Sequence, residues 1–412
     1  MSFVKNILIL TAALAYLGGA YAKLDLNSSS NVAVYWGQNS FNGQGKLAQQ
    51  PLAYYCDDER IDVIILAFLM TVNGPGGAPE FDFANAGDRC TKFEGTNLMN
   101  CPQMGADIMT CQKKGKTIIL SIGGATYSEG GFQSEAAAKA GADLIWKTFG
   151  PATTPGPSSS TPHITPPALI NGSFSIAPYS NATSRYRVGR FNHFRPFHHS
   201  NSTGMNSTGS HGVRAKSPAI HRPFGNATVD GFDFDFEAKV AHIAPFANRL
   251  RKLSDADKSR KYYLTAAPQC PYPDVADKDI LHGLVSIDAV FVQFYNNWCG
   301  VNSFTKGQQT QNSFNFQEWD NWAKTVSKND KVKVLLGVPA NTKAASSGYI
   351  PASALEQVIR YSKSFSSFGG VMMWDVTQAY GNEGFLDGVK NALKKSSSRL
   401  LRHGYRIPSI LR

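Results

Sequence analysis

Short apolar segments rich in β-branched residues recur along most of this chain, and stretches with helical periodicity lie between them. Eight such segments are found, at 31–37, 61–69, 116–124, 229–237, 261–268, 289–297, 331–339 and 368–376. Between them, as in 239–253 and 351–364, apolar residues recur every three or four positions, as on one face of a helix. This order predicts an α/β fold whose parallel strands close into a (β/α)8 TIM barrel. A doubly wound open sheet is the alternative, but its glycine-rich phosphate-binding motif is missing.

One connection between these segments is far longer than the others. The helix-like stretch 132–150 is followed by the fourth strand-like segment only at Val229, whereas such a connection normally takes about 2–6 residues. Residues 152–221 are rich in Pro, Ser, Thr, Asn and His and contain no acid. This composition predicts a disordered insertion before strand 4, which is either a true insertion or an untranslated intron carried into the sequence.

The positive charge of the chain is concentrated in two segments. The 412 residues carry a formal net charge of +11, which by itself suggests a polyanionic partner such as a nucleic acid. However, residues 151–229 and 391–412 contain 7 and 6 basic side chains and no acid, and the remaining segments are nearly neutral. We therefore predict a nearly neutral barrel that binds no nucleic acid and is followed by a basic tail at 394–412.

The first residues have the organisation of a secretory signal peptide. Lys5 precedes an apolar run at 7–20, and the Ala-Tyr-Ala sequence at 20–22 has the small-x-small pattern of a cleavage site. The run is too short for the ~20 apolar residues that cross a bilayer. We predict that residues 1–22 are removed and that the protein spans no membrane; an uncleaved anchor is the alternative.

The cysteines and glycosylation sequons also indicate export. Six cysteines suit an oxidising compartment: Cys56, Cys90, Cys101, Cys111, Cys270 and Cys299. Their pairing does not follow from the sequence alone, and the absence of a CxxC pair gives little support to a zinc site. Five of the six N-x-S/T sequons begin between 171 and 226, which suggests a glycosylated surface segment. We predict a secreted protein, located outside the cell or in the cell wall.

The segment DGFDFDFE at 230–237 is the most informative for chemistry. Alternate side chains of a strand share a face, so Asp233, Asp235 and Glu237 would enter the barrel while the phenylalanines pack against helices. Enclosed carboxylates about 7 Å apart cannot all ionise cheaply, so at least one should hold a proton near neutral pH. Glu237 comes at the C-terminal end of the strand, where TIM-barrel active sites are built.

Such an acidic column is suited to glycoside cleavage, because a protonated carboxyl donates to the leaving oxygen while neighbouring carboxylates tune its pKa. A solvated acidic face is one alternative, but the flanking segments are apolar. A metal site is another, but no histidine lies near these acids in sequence. The ends of other strands supply further polar and aromatic side chains, and aromatic faces suit sugar rings; these residues are Tyr35, Gln293, Tyr295 and Trp374.

At these residues the chain resembles a known family. DGFDFDFE resembles the DGxDxDxE motif of glycoside hydrolase family 18, and SIGG at 121–124 resembles the SxGG motif of its third strand. The stretches VAVYWGQN and QFYNN are similar to its class III chitinases, the hevamine-like group of plants and fungi. The similarity extends over 31–150 and 223–393, and both motifs fall on the predicted strands, which makes it specific.

The resemblance implies a retaining, substrate-assisted hydrolysis of β-1,4-linked N-acetylglucosamine polymers without a metal or cofactor. Glu237 would protonate the glycosidic oxygen and later activate water, while the acetamido oxygen of the substrate attacks the anomeric carbon. Asp235 would orient the acetamido group, and Asp233 would adjust the protonation of Asp235. Tyr295 would donate a hydrogen bond to the same group. Substrate contacts are implied for four residues: Tyr35, Gly124, Gln293 and Trp374.

The family's cysteine order implies the disulfides Cys56–Cys111, Cys90–Cys101 and Cys270–Cys299. The expected protein is a monomeric endochitinase with a catalytic barrel at 23–393 that acts on chitin or chito-oligosaccharides. Two alternatives stay open. One is a lectin or inhibitor of the same fold, a group that typically lacks the proton-donating glutamate, and the other is an endo-β-N-acetylglucosaminidase that trims glycoprotein glycans.

Overall fold

The computed structural model describes residues 24–152 and 220–395. Apart from a few boundary residues, the predicted signal peptide, insertion and basic tail lie outside these ranges. Within them, no helix is long and apolar enough to cross a membrane.

Eight parallel strands close into a barrel, as the sequence predicts. They are β1 (Asn31–Trp36), β2 (Val63–Thr71), β3 (Thr117–Gly123), β4 (Gly231–Asp235), β5 (Tyr263–Ala266), β6 (Ala289–Gln293), β7 (Lys333–Pro339) and β8 (Phe368–Trp374). Each strand pairs with the next, and β1 also pairs with β8, which closes the barrel. Strand β4 ends at Asp235, so Glu237 lies two residues beyond it rather than within it.

Helices form the outer layer of the barrel. They are α1 (Leu52–Tyr55), α2 (Pro102–Lys113), α3 (Glu135–Phe149), α4 (Ile243–Ala256), α5 (Lys278–Leu281), α6 (Phe316–Thr325), α7 (Ala352–Ser362), α8 (Val376–Tyr380) and α9 (Phe385–Lys394). Short 3-10 turns occupy Gly45–Leu47, Pro75–Gly77, Ala84–Gly87 and Val301–Ser303. A two-residue strand, Glu80–Phe81, pairs antiparallel with β2, and Thr91–Lys92 pairs with Met99–Asn100. These additions leave the eight-stranded barrel uninterrupted.

Helix α3 shows how local sequence sets an element of the outer layer. The side chain of Ser134 accepts a hydrogen bond from the backbone N–H of Ala137, which caps the helix. Glu135 in the first turn places a negative charge at the positive end of the helix dipole. Ile145 and Phe149 are buried on the face of α3 that packs toward the barrel.

The barrel has an apolar core inside the strands and a second one between the strands and the helices. One face of β4 points into the barrel and the other points toward the helices. Phe232, Phe234 and Phe236 belong to the outer core between strands and helices. The ring of Phe234 lies 6.2 Å from that of Phe236 and 6.3 Å from that of Phe246 in α4. The acids of β4 point the other way, as the alternation predicts. At the amino end of the strands, the backbone N–H of buried Leu24 donates to Thr117 Oγ1 at 2.9 Å.

The three disulfides implied by the resemblance are present. They join Cys56 to Cys111, Cys90 to Cys101 and Cys270 to Cys299, with Cα atoms 5.0, 4.8 and 5.9 Å apart. The third joins the loop after β5 to the loop after β6, both at the carboxyl end of the barrel.

Replacing Phe234 with alanine tests the packing of β4 against the helices. Phe234 is fully buried, so Phe234→Ala should lower the free energy of unfolding by about 3–5 kcal/mol. Urea denaturation measures this change. Leu284, which is 52% exposed, is the control, because Leu284→Ala should have little effect. A loss for Phe234→Ala as small as that of the control would contradict the packing described.

Candidate active site

A pocket of about 200 Å³ opens at the carboxyl ends of the strands. Its lining includes five of the residues predicted from the sequence: Asp235, Glu237, Gln293, Tyr295 and Trp374. They come from β4, β6 and β8 or from the residues that directly follow these strands. The barrel therefore brings together side chains that are far apart in the sequence.

Asp233 lies beneath the pocket, fully buried, and is held by three hydroxyl groups. Tyr35 and Ser121 donate to its Oδ2 at 2.8 and 2.7 Å, and Thr265 donates to its Oδ1 at 2.6 Å. The register of the sheet explains two of these contacts, because Asp233 pairs with Ser121 on one side and Thr265 on the other. Burial raises the pKa of Asp233, and the three hydrogen bonds oppose that rise.

Asp235 is the next acid of the column and is 5% exposed. Its Oδ1 accepts a hydrogen bond of 2.9 Å from Gln293 Nε2, and that amide also donates to the backbone oxygen of Ala267 at 2.8 Å. Burial, followed by the negative charges of Asp233 and Glu237, holds the pKa of Asp235 well above its usual value. The column therefore favours a proton on the pair Asp233–Asp235, since two adjacent buried carboxylates repel each other.

Glu237 is the acid of the column that faces open space. Its side chain is exposed at the mouth of the pocket, two residues beyond the end of β4. Partial burial by the pocket walls raises the pKa of its carboxyl. A glutamate with a raised pKa keeps its proton at higher pH than a solvated glutamate, which is the property required of a general acid.

Aromatic side chains, among them Phe68, Tyr295 and Trp374, also line the pocket. The ring of Trp374 stacks on that of Phe68, with centroids 5.8 Å apart, and lies 5.4 Å from the ring of Tyr35. Tyr295 is 6% exposed. Burial, and then the charges of Asp235 and Glu237, raise the pKa of Tyr295 well above its usual value, so its hydroxyl remains a hydrogen-bond donor.

Two residues expected to contact substrate lie behind the pocket instead of lining it. Tyr35 is only 1% exposed, because its side chain enters the barrel and its hydroxyl is bound to Asp233. Gly124 has a φ of +78°, and a Cβ atom there would lie 2.6 Å from the ring of Phe68. Its backbone N–H donates to the backbone oxygen of Asp235 at 2.7 Å. Both residues support the wall and the acidic column.

Six further residues line the pocket, and they were not singled out from the sequence: Gln38, Phe68, Ala125, Thr126, Asn296 and Ala344. Two of them had a signal, because Gln38 belongs to the YWGQN stretch and Asn296 to QFYNN. Phe68 is one apolar residue among many in the second strand. Ala344 lies in the loop after β7, where no pattern marks it.

A buried acid outside the pocket was also not foreseen. Asp277 is fully buried, and within 24–152 and 220–395 neither of its carboxyl oxygens has a hydrogen-bond partner. Its backbone N–H donates to Asp274 Oδ1 at 2.6 Å. Burial, and then the charges of Asp274, Asp235 and Asp233, raise the pKa of Asp277 well above its usual value. Asp277 therefore adds to the cost of negative charge at this end of the barrel.

The acids that line it distinguish this pocket from a larger cavity of about 360 Å³, which is lined by Lys113, Arg260 and Tyr263, among others. The one acid of that cavity, Asp230, is bound to the backbone N–H of Ile118 and to Arg260. In the described part of the chain, no group of three or more His, Cys, Asp or Glu side chains is placed to hold a metal ion. The acidic column therefore makes the smaller pocket the candidate site.

The cost of burying Asp277 predicts a pH-dependent effect of Asp277→Asn on stability. Burial raises the pKa of Asp277 in the folded protein. The wild-type protein is therefore most stable below the unfolded pKa of about 3.9, where the carboxyl is protonated, and it loses stability as the pH rises toward the folded pKa. The melting temperature of Asp277→Asn relative to wild type should therefore be higher at pH 7 than at pH 4.

Calorimetry at the two pH values measures this difference. Asp330 is exposed, so Asp330→Asn is the control and should show no such trend. A difference for Asp277→Asn that is constant with pH would contradict the raised pKa.

Solved structures share this architecture. A chitinase from Ipomoea carnea superimposes with a TM-score of 0.58 over 88% of this chain and 100% of its own, at 22% identity. The xylanase and α-amylase inhibitor protein XAIP-II from Scadoxus multiflorus superimposes with a TM-score of 0.57 over 88% of this chain and 98% of its own, at 25% identity. The barrel is thus found in proteins described as enzymes and as inhibitors.

Sequence comparison is more specific. The profile of Glycosyl hydrolases family 18 matches residues 212–362. A class III chitinase of Arthroderma benhamiae is 46% identical over 405 residues, 98% of each chain. Endochitinase 33 of Trichoderma harzianum is 41% identical over 392 residues, 95% of this chain and 100% of that protein. With this identity over nearly its whole length, the chain belongs to family 18 of the glycosyl hydrolases, as its motifs predict.

Proposed function

We propose that this protein is a secreted endochitinase that hydrolyses β-1,4-linked N-acetylglucosamine polymers by a retaining, substrate-assisted mechanism. The observation that carries the proposal is the acidic column, in which Glu237 opens onto the pocket above the buried pair Asp235 and Asp233. The relatives named class III chitinase and Endochitinase 33 support chitin as the substrate.

Glu237 acts first as the general acid. Its raised pKa lets the carboxyl keep its proton to a higher pH than a solvated glutamate would, and its exposure at the pocket mouth makes the proton available to the oxygen of the glycosidic bond. After the bond breaks, Glu237 is a carboxylate and accepts a proton from the water that attacks the anomeric carbon. One residue thus serves as acid and then as base.

Asp235 orients the group that attacks. The acetamido oxygen of the bound sugar bonds to the anomeric carbon as the glycosidic bond breaks, and the attacking water later displaces this oxygen and restores the acetamido group. No carboxylate of the protein is therefore needed as nucleophile. Asp235 accepts a hydrogen bond from the acetamido N–H and stabilises the positive charge that develops on this group. Gln293 donates to Oδ1 of the Asp235 carboxyl at 2.9 Å, and Tyr295, which follows β6 and lines the same pocket, donates to the acetamido oxygen.

Trp374 provides an apolar surface for the sugar ring. Its indole lines the pocket, stacks on the ring of Phe68, which also lines the pocket, and packs against the buried ring of Tyr35. The faces of pyranose rings carry C–H groups that pack on aromatic rings. This contact and the acids on the other side would hold the sugar between them.

Non-catalytic glycan or protein binding is the second candidate, and the likeness to XAIP-II favours it. A binding protein has no need of an acid with a raised pKa at the mouth of a pocket. Here Glu237, Asp235, Asp233 and Tyr295 are all present and, apart from the buried Asp233, line one pocket. Hydrolysis is therefore the function that the geometry supports best.

Secretion is part of the proposal. It rests on the signal-peptide pattern at 1–22 and on three disulfides, which persist in oxidising compartments outside the cytosol.

Removing the proton of Glu237 tests the proposed function. Glu237→Gln should lower kcat on N-acetylglucosamine hexamers by between about 100-fold and 10,000-fold, because an amide cannot donate the proton, while hexamer binding remains close to wild type. Product release and calorimetric titration measure the two effects. Glu59, which is exposed and precedes β2, is the control, and Glu59→Gln should behave as wild type. Substantial turnover by Glu237→Gln would refute the role of Glu237.

The hydrogen bond from Tyr35 predicts a shift of one limb of the pH profile. This bond lowers the pKa of Asp233, so Tyr35→Phe should raise the pKa of the pair Asp233–Asp235. The acidic limb of kcat/KM should therefore move to higher pH, because the pair must carry a negative charge to stabilise the acetamido group.

The alkaline limb serves as the internal control of the same experiment. It reports the proton of Glu237, whose pKa is raised by burial alone, so it should stay in place in Tyr35→Phe. A shift of the alkaline limb, or no shift of the acidic one, would contradict this assignment.

A further inference from the structure

Trp298 is more exposed to solvent than every other tryptophan of this protein. Four tryptophans are buried, and a fifth, Trp374, lines the pocket; the four are Trp36, Trp146, Trp319 and Trp322. The side chain of Trp298 is 60% exposed. Single exposed apolar side chains are common on protein surfaces, so exposure alone does not identify a site. The rigidity of the loop that carries Trp298 and its position beside the pocket are the further observations.

The loop that carries Trp298 is firmly fixed. Cys299, the next residue, is joined by a disulfide to Cys270 in the neighbouring loop. Asn297, the preceding residue, donates from Nδ2 to Gln269 Oε1 at 2.9 Å. The indole is therefore presented on a backbone whose position is set before any ligand arrives, which reduces the entropy lost on binding.

The same loop also forms part of the pocket. Tyr295 and Asn296 line the pocket, and Asn296 is tied to Ser347 by two reciprocal hydrogen bonds of 3.1 Å. Trp298 follows Tyr295 by three residues, so their Cα atoms are at most about 11 Å apart. A sugar polymer leaving the pocket crosses that distance within a few units.

The charge of this segment indicates the kind of ligand. Residues 289–305, which comprise β6 and the loop after it, contain no charged side chain. An uncharged segment with an exposed indole suits a neutral ligand with apolar ring faces, and the segment itself gives no electrostatic attraction to nucleic acid or to anionic lipid. A chain of N-acetylglucosamine units has this neutral character.

From these observations we propose that Trp298 is a second sugar-binding position, outside the pocket, on which a β-1,4-linked N-acetylglucosamine chain stacks as it extends from the active site. This proposal rests on the proposed function, because it takes the same polymer as ligand. Trp298 touches no reacting atom, so its contribution is to the binding of long chains and of the solid polymer.

Chain-length dependence tests the proposal. Trp298→Ala should lower kcat/KM on N-acetylglucosamine hexamers by about five- to tenfold and weaken adsorption to colloidal chitin similarly, since stacking pairs contribute this order of affinity. Hydrolysis of 4-methylumbelliferyl chitobioside, which is too short to span both positions, should remain at the wild-type rate. Trp298→Phe keeps an aromatic face and should restore most of the loss on hexamers.

The control removes an equally exposed apolar side chain elsewhere. Leu284 is 52% exposed and precedes the amino end of β6, so Leu284→Ala should change neither the hexamer nor the dimer rate. Equal rates and equal adsorption for Trp298→Ala and wild type would overturn the proposal, as would an equal loss on both substrate lengths. Should the wild-type protein cleave neither substrate, the proposed function fails, and hexamer binding by calorimetry still decides the role of Trp298.

Discussion

Mutual repulsion among buried carboxylates is the constraint on which the carboxyl end of this barrel depends. Asp233 sits inside the barrel only because hydroxyl groups from β1, β3 and β5 all point at it, at 2.6 to 2.8 Å. Those bonds connect three strands to one side chain of a fourth. They also hold Asp233 next to Asp235, whose pKa is raised by burial and then by the charge of Asp233, which favours a proton on the pair.

The same repulsion links the buried residues to the proposed chemistry. In a pair that shares one proton, the proton can move between the two carboxyls as charge develops on a bound acetamido group. Two solvated aspartates would both stay ionised. Glu237 is separated from the pair by one residue along the chain and faces the pocket. The barrel thus buries the pair and leaves Glu237 as the exposed acid of the column. The aromatic wall around Trp374 completes the pocket on the other side.

Much of this arrangement could be predicted from the sequence, because it depends on periodicity. The alternation in 230–237 fixes which side chains of β4 face inward, and the strand–helix order fixes the barrel. The disulfide pairs required the family resemblance. Contacts between distant segments could not be predicted: the hydroxyl of Tyr35 turns inward to Asp233, and the carboxyl of Asp277 is buried without a hydrogen-bond partner in the described ranges. Both outcomes depend on packing that no local pattern records.

Anomeric configuration tests the central claim, that the acetamido group of the substrate attacks while Glu237 supplies the proton. Proton NMR of the hexamer reaction, recorded before mutarotation, identifies the anomer of each newly formed reducing end. Because two successive displacements restore the starting configuration, the account predicts the β-anomer as the first product. Formation of the α-anomer would show direct attack by water and would contradict the roles assigned to Asp235 and Glu237.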